Sequence, residues 1–450
     1  MTDLFRRLST AVGLLIPFLL FAAPGAVDAR SAVPVAAPLS EKTIDQLTLP
    51  EALSRTVLDH PELAIYSGEI RAREAEALQA GLRPNPLLSL EAENVFGSGA
   101  LSGADAAEST LSLSQTLELG GKRPLRRRLA EADTQVAQSG FALAKTDLLA
   151  RTTDSFHAVL AARERLLLSE DMVALAKQVL DAVEERIAAG RAAATEAIRP
   201  RIRWRERQLA LDQARRDVAA ARAILAARMG REEADFGAPI GDLTRLSPVP
   251  EPAELEGLLS ESPQIAMRVA ESERRRRATR LEEARRIPDL DIGLGARYLR
   301  ESDDTALVLG VSIPLPLFDR NQGAIAAARH RQAQAHAEER SALLQAKAAL
   351  AAVRQQMSDA RAEAEALGDE IVPAAQQALA AAEYGYRAGK FGILDVLDAQ
   401  RTLMAARERR LDALLAFHRA ATEMERLLGR PLASEGSSLS LSVTAKEQRP

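Results

Sequence analysis

Two carboxylates, Asp395 and Asp398, stand three residues apart just beyond Gly389, a spacing that puts both on one face of a helix. Copies of the chain set around an axis would turn each into a ring of carboxylates, which favours cations and narrows a passage electrostatically. The plainer reading is a pair of solvated acids at a helix start, favoured by the helix dipole. Other chemistry is sparse. The five histidines are His60, His157, His330, His336 and His418, and there is no cysteine. His330 and His336, six apart, do not share a helical face. With no thiolate and scattered methionines, no metal site and no cofactor are expected. No Ser-His-Asp elbow, phosphate loop or zincin motif occurs, so no enzyme is expected. Arg274 to Arg277 form a basic run, but Glu271, Glu273, Glu282 and Glu283 interleave it. That reads as a solvated helix face or pairing between subunits, not a nucleic-acid site. The net charge of −4 supplies no general basic field.

The elements that carry these residues are duplicated. Pro86-Leu-Leu-Ser-Leu recurs as Pro288-Asp-Leu-Asp-Ile, and His60-Pro-Glu-Leu as Ser262-Pro-Gln-Ile, both 202 positions on. Gly190 recurs as Gly389, and Met229-Gly-Arg as Leu428-Gly-Arg, both 199 positions on. The slip between the two offsets falls in a hairpin loop, where a length change costs little. Aromatics make up 3% of the 450 residues, charged residues 27% and hydrophobics 47%. Such Ala-rich, Leu-seamed sequence suits long packed helices.

Each copy carries a pair of strands. Leu88, Leu90 and Ala92 alternate with Ser89, Glu91 and Glu93, and Leu111, Leu113 and Leu117 with Ser112, Ser114 and Thr116. In the second copy Leu290, Ile292, Leu294, Ala296 and Tyr298 alternate with polar or small residues, as do Leu307 to Leu317 at every second position. Runs of about ten residues with one apolar face have the dyad pattern of outer-membrane barrel strands. Four strands cannot close a barrel, and open edges in lipid leave backbone groups unpaired. The chain is therefore expected to oligomerise, three copies giving twelve strands with room for a passage. The simpler alternative is two amphipathic hairpins lying on a soluble core.

Each second strand leads into a long helix, residues 124–190 and 323–389, the latter interrupted only by Pro373. At ~1.5 Å per residue each would span about 100 Å. Val159, Leu166, Val173, Leu180 and Ile187 keep a seven-residue step, a coiled-coil seam. Gly190 and Gly389 turn the chain into return helices, 195–229 and 393–428.

Boundaries follow from these signals. Arg6 and Arg7, the apolar run Val12 to Ala23 and Val27-Asp-Ala29 read as an export signal over residues 1–29, too short in its apolar part for a membrane helix. Residues 30–47 are an N-terminal segment. The first repeat is 48–247 with its hairpin at 86–119. The second is 248–431, with helices at 253–286 and a hairpin at 288–317. Residues 432–450 read as a flexible polar tail.

Several spaced motifs resemble those of the TolC-like outer-membrane factors of tripartite efflux and secretion systems, over about Leu47 to Pro431. Leu82-Arg-Pro-Asn-Pro-Leu87, Ser114-Gln-Thr-Leu-Glu-Leu-Gly-Gly-Lys-Arg123 and Val311-Ser-Ile-Pro-Leu-Pro-Leu-Phe-Asp-Arg-Asn-Gln-Gly323 carry the likeness. So does Tyr386-Arg-Ala-Gly-Lys-Phe-Gly-Ile-Leu-Asp-Val-Leu-Asp398. Among branches the chain looks most like the cation-efflux CzcC type. The resemblance implies a mixed fold: long helices forming a periplasmic α-barrel, below a homotrimeric β-barrel in the outer membrane to which each protomer gives four strands. It implies a conduit docked to a periplasmic adaptor and an inner-membrane, proton-driven RND-type pump, with metal cargo passing through unliganded. Matching residues would line the periplasmic gate: Asp395, Asp398, the holding tyrosine Tyr386, and Glu196 from the first tip. A gate arginine of some members falls at Phe391 and is absent. Gly190, Arg191, Thr195, Gly389, Lys390, Phe391 and Gly392 would meet the adaptor. The alternatives are a multidrug or protein-secretion conduit and, from another class, a periplasmic coiled-coil protein without a pore.

Overall fold

Four strands make one antiparallel sheet, and their order explains why the duplication is needed. The computed structural model describes residues 46–432; the expected export signal and most of the expected tail lie outside the described residues. A short strand β1 (Gln46–Thr48) leads to α1 (Leu49–Asp59) and α2 (Pro61–Ala80), then β2 (Leu87–Glu93) and β3 (Glu108–Leu117). Helix α3 (Lys122–Ala188) follows, then α4 (Ile198–Arg228) and β4 (Ala238–Ile240), which pairs in parallel with β1. The second copy gives α5 (Pro252–Leu259), α6 (Pro263–Arg285), β5 (Leu290–Leu299) and β6 (Asp304–Ser312). Helices α7 (Gln322–Ala366), α8 (Val372–Arg387) and α9 (Ile393–Leu428) complete it.

The sheet order is β2-β3-β5-β6, so the two hairpins join through their second and first strands. Register turns the sequence alternation into rows across all four strands. Leu88 opposes Leu113, which opposes Leu294, which opposes Leu309. Each of these four is more than half exposed. Leu90, Leu111, Ala296 and Leu307 make the next row. The other face is polar. Ser89 and Ser112 share a 2.7 Å hydrogen bond, and Thr116 donates to Asp291 Oδ1. Arg297 donates to Thr110 Oγ1 at 3.0 Å and to Glu108 Oε2 at 2.8 Å, and pairs with Glu93 at 3.1 Å. A sheet with one exposed face dominated by leucines and one networked by polar groups has no core of its own to cover. Strand β6 stops at Ser312, five residues short of the expected Leu317, because Pro314 and Pro316 lack the N–H that a ladder needs.

Helix starts are encoded locally. Thr48 is tied to Glu51 Oε2 through both its backbone N–H (2.9 Å) and its hydroxyl (2.7 Å) at the start of α1. His60 Nδ1 accepts the Glu62 N–H at the start of α2, and Ser262 stands at the corresponding place before α6. In both, proline takes the first helical position, where no N–H is needed. The long helices are held by three apolar clusters. One joins α3, α4 and α9 to the β1–β4 pair around Phe156, Leu160, Met229, Phe236 and Leu411. A second joins α5, α6, α7 and α9 around Leu259, Met357, Phe417 and Met424. The third lies towards the turns at Gly190 and Gly389, around Leu180, Val183, Leu379, Tyr386 and Val396.

Two further expectations need correction. The second long helix is not continuous up to Pro373: α7 ends at Ala366, and one π-helical turn, Leu367–Ile371, widens it before α8. Pro373 cannot donate to the carbonyl four residues back, and the wider turn absorbs the break. The seven-residue seam of α3 is buried only at Val159 and Leu180, while Leu166, Val173 and Ile187 are half-buried. The buried stripe instead includes Leu148, Thr152, Phe156, Met172, Ala176, Val179 and Val183. No helix among the described residues is long and apolar enough to cross a membrane.

Candidate functional site

The turns at Gly190 and Gly389 are built alike. Each glycine has a left-handed backbone, φ 66° and 71°, which a glycine adopts without strain. Gly190 donates to Ile187 O and Arg191 to Arg186 O, while Gly389 donates to Tyr386 O and Lys390 to Gly385 O, all between 2.8 and 3.0 Å. A methyl on either glycine would meet nothing within 4 Å, so both turns project freely. Phe391 folds back over Gly385, whose carbonyl accepts its N–H at 3.2 Å. The turn residues Arg191, Thr195, Gly389, Lys390, Phe391 and Gly392 are all exposed.

The four gate candidates do not form one cluster within the chain. Asp395 is exposed and its Oδ2 accepts the Gly392 N–H at 2.8 Å, closing the first turn of α9. Asp398 is exposed and accepts from Arg401 at 2.6 Å. Both aspartates line a shallow groove between α4 and α9, shared with Arg199, Arg203 and Arg401. Glu196 is half-buried at the opposite turn and accepts the Ala193 N–H at 3.3 Å. Tyr386 is only 5% exposed. Burial pushes its phenol above the ordinary range, the Arg186 charge opposes this, and Glu196 adds to it. Thus the structure brings Asp395 and Asp398 to one groove, while Tyr386 is buried in an apolar cluster and Glu196 is tied to its own turn.

Three arginines here escaped sequence reasoning. Arg186 lies over the Tyr386 ring, its guanidinium carbon 4.5 Å from the centroid. Arg199 and Arg203 face the aspartate groove. On a surface helix a charged residue beside a site has the same spacing as one in solvent, so only the repeat alignment of the two turns could have directed attention to them.

The remaining sequence signals resolve structurally. Arg274 pairs with Glu271 at 2.7 Å and Asp133 at 3.4 Å, Arg275 with Glu271, and Arg277 with Glu273 at 2.9 Å. The basic run is thus neutralised, tying α6 to α3. His336 shares a hydrogen bond with Ser272, and His60 serves as a helix cap. His157 and His418 meet between α3 and α9 with ring centroids 4.6 Å apart and planes tilted by 40°. Among the described residues, no three His, Cys, Asp or Glu side chains are grouped to hold a metal ion.

The family model described as outer membrane efflux protein matches residues 52–231 and again 255–430, one match per copy. The cobalt-zinc-cadmium resistance protein CzcC of Cupriavidus metallidurans is 35% identical, over 94% of this chain and 100% of its own. The nickel-cobalt-cadmium resistance protein NccC of Alcaligenes xylosoxydans xylosoxydans is 29% identical, over 66% and 67%. The crystal structure of the outer membrane protein VceC from Vibrio cholerae superposes with a TM-score of 0.72 at 19% identity, covering 85% of this chain and 96% of that one.

Proposed function

The chain belongs to the outer membrane efflux protein family, and on that premise we propose that it is the passive conduit of a tripartite heavy-metal efflux system. Three protomers contribute four strands each to a twelve-stranded barrel, with Leu88, Leu113, Leu294 and Leu309 facing lipid and the Arg297 network facing the lumen. What supports closure is the pair of open edges: among the described residues, β2 and β6 each have one unpaired side. In lipid every unpaired backbone group costs several kcal/mol, so β6 of one protomer must meet β2 of the next. The helices continue the passage into the periplasm, where their turns meet a periplasmic adaptor and, through it, a proton-driven inner-membrane pump.

Metal cations are the proposed cargo, and the observation that carries this is the near full-length similarity to a cobalt-zinc-cadmium resistance protein. The acids at Asp395 and Asp398 fit such cargo, because rings of carboxylates lower the cost of cation entry without binding tightly. The conduit does no chemistry; energy and final selectivity belong to the pump. In a strain lacking this gene, tolerance to cobalt, zinc and cadmium should fall and return on complementation. Unchanged tolerance to all three, with lost tolerance to organic drugs, would replace the metal reading with a multidrug one. Purified in mild detergent, the protein should run as a trimer, and a folded monomer stable without detergent would exclude the barrel.

A further inference from the structure

Among the described residues no large apolar side chain is more exposed than Phe318, at 91%. The chain around it is nonetheless fixed. Leu317 N–H donates to Leu315 O at 2.8 Å, closing a tight turn at Pro316. Arg320 Nε donates back to Pro316 O, and Gln322 Nε2 to Phe318 O, both at 3.2 Å. Asp319 Oδ1 accepts the Asn321 N–H at 2.9 Å, and Asn321 Nδ2 donates to Glu282 O at 2.8 Å, fastening the segment to α6. The main chain is held while the ring stands free, which is the condition of a preorganised anchor. Strand alternation does not account for the ring, since the apolar residues from Leu307 to Leu317 are the odd-numbered ones. Nor does a belt of interfacial aromatics, which favours Trp and Tyr because their polar tips suit the wet side.

A matching hollow lies towards the opposite edge of the same sheet. A cavity of about 630 Å³ at the foot of β2 and β3 is lined by Pro84, Leu117 and Pro124, with Arg83, Arg123 and Arg128 around them. Glu131 is taken by Arg127 and Glu118 by Arg126, so among the described residues those three arginines have no carboxylate partner. Thr116, which also lines the cavity, opposes Asp291, and Asp291 opposes Ser312, the last residue of β6. The exit of β6 and the cavity therefore stand at one level of the sheet. A knob and a hollow at opposite edges make a heterologous pair, which closes into a ring when copies are rotated about an axis.

We propose that Phe318 of one protomer seats in the cavity below β2 of the next, its ring against the arginine planes and Asp319 towards their charge. This clasp sets the register of the β6–β2 seam. The inference rests on the conduit reading above, which requires that seam. No hairpin joins β6 to the next protomer's β2, so no turn fixes their register, and a slip of one residue would put the leucines of β6 out of step with the leucine rows. An aromatic face is attracted to guanidinium groups most strongly where water is excluded, and a carboxylate pairs with them directly.

The sequence has no cysteine, so thiols can be placed one at a time. Chains carrying Phe318→Cys and differently tagged chains carrying Arg123→Cys, made together, should be joined by a short bismaleimide into a product bearing both tags. Phe318→Ala should raise the protomer fraction in mild detergent roughly tenfold or more, the scale of an aromatic anchor. Phe318→Tyr keeps the ring and should stay near wild type, and Asp319→Asn should weaken trimers in a salt-dependent way. Intact trimers without the two-tag product, Phe318→Cys chains that join only to each other, or Phe318→Ala trimers as durable as wild type would overturn the clasp and leave the conduit standing. If Phe318→Ala yields no trimers to compare, the cross-link decides alone. A wild-type chain that is a folded monomer without detergent overturns the conduit reading and the clasp with it.

Discussion

Gly429 is set against the ring of Pro263 so closely that a methyl group on it would stand 2.2 Å from the proline Cδ. Gly230 does the same in the first copy, where an added methyl would lie 2.8 Å from the Asp59 carbonyl oxygen. Both glycines have a left-handed backbone, φ 77° at Gly230 and 72° at Gly429. The end of each repeat's last long helix therefore rests on the joint between that repeat's first two helices. The motifs His60-Pro and Ser262-Pro recur together with Met229-Gly and Leu428-Gly because each pair is one contact.

Gly429→Ala should cost ~2–4 kcal/mol, from overpacking on Pro263 plus an unfavourable backbone. Gly389→Ala, with nothing near its Cβ, should cost only ~1 kcal/mol. The dissociation temperatures of the two purified variants measure this. Equal shifts would mean that the Pro263 contact yields freely.

Acid should loosen the α3–α9 packing. Burial, with a smaller effect of His418, lowers the His157 pKa to about 3, and burial lowers that of His418 against the pull of the Leu243 carbonyl and Asp242. Above pH 6.5 the folded and unfolded chains are both neutral at these positions, so there is no penalty. Below that value the unfolded chain takes up a proton at His157 and the folded chain does not, so stability falls steadily as pH drops towards the folded His157 pKa of about 3. Asp154, raised by burial, and Asp242, lowered by its Thr244 hydrogen bonds, titrate as well, so the informative quantity is the difference between wild type and His157→Leu. The variant should lose less melting temperature than wild type between about pH 7.5 and about pH 4.5, a window that spans the histidine titration. Parallel losses would acquit the histidine pair.

Asp395→Asn with Asp398→Asn should lower cation preference in bilayers and weaken block by multivalent cations added from the periplasmic side. Six charges per trimer disappear, and their field acts within a Debye length of ~8 Å at physiological salt. The amide oxygen that replaces the Asp395 carboxylate can still accept the Gly392 N–H, so α9 should stay intact. Selectivity and block identical to wild type would leave these acids as a helix cap and an Arg401 partner.

Gly389→Val should abolish efflux while trimers persist in the membrane. The φ of 71° is strained for a β-branched residue, but the open surroundings confine the damage to the turn. Wild-type efflux from this variant would mean that the partner docks elsewhere.

The strands and the duplication were legible because both are periodic. Leu88, Leu90 and Leu111 alternate with polar residues whatever the tertiary context, and the 202-residue offset is independent of packing. The family likeness came from motifs that cluster at turns. Three things were not legible. The π-helical turn left only Pro373 as a trace, since Gly368 beside Arg410 looks like any helical glycine. The Arg186–Tyr386 contact joins positions 200 apart, and neither residue is unusual on a helix. The His157–His418 contact pairs one residue from each repeat at positions that are not equivalent, so neither spacing nor repeat alignment marks it.

The free edges of β2 and β6 also determine how this protein must be made. A lone protomer cannot leave its sheet half-inserted, so membrane entry and association are one event of high kinetic order in protomer concentration. Channel number should then rise more steeply than expression, with a threshold below which chains wait, unassembled, for export quality control. A cell that halves synthesis would lose more than half of its conduits, and gene dosage becomes a control on channel number separate from any property of the finished pore.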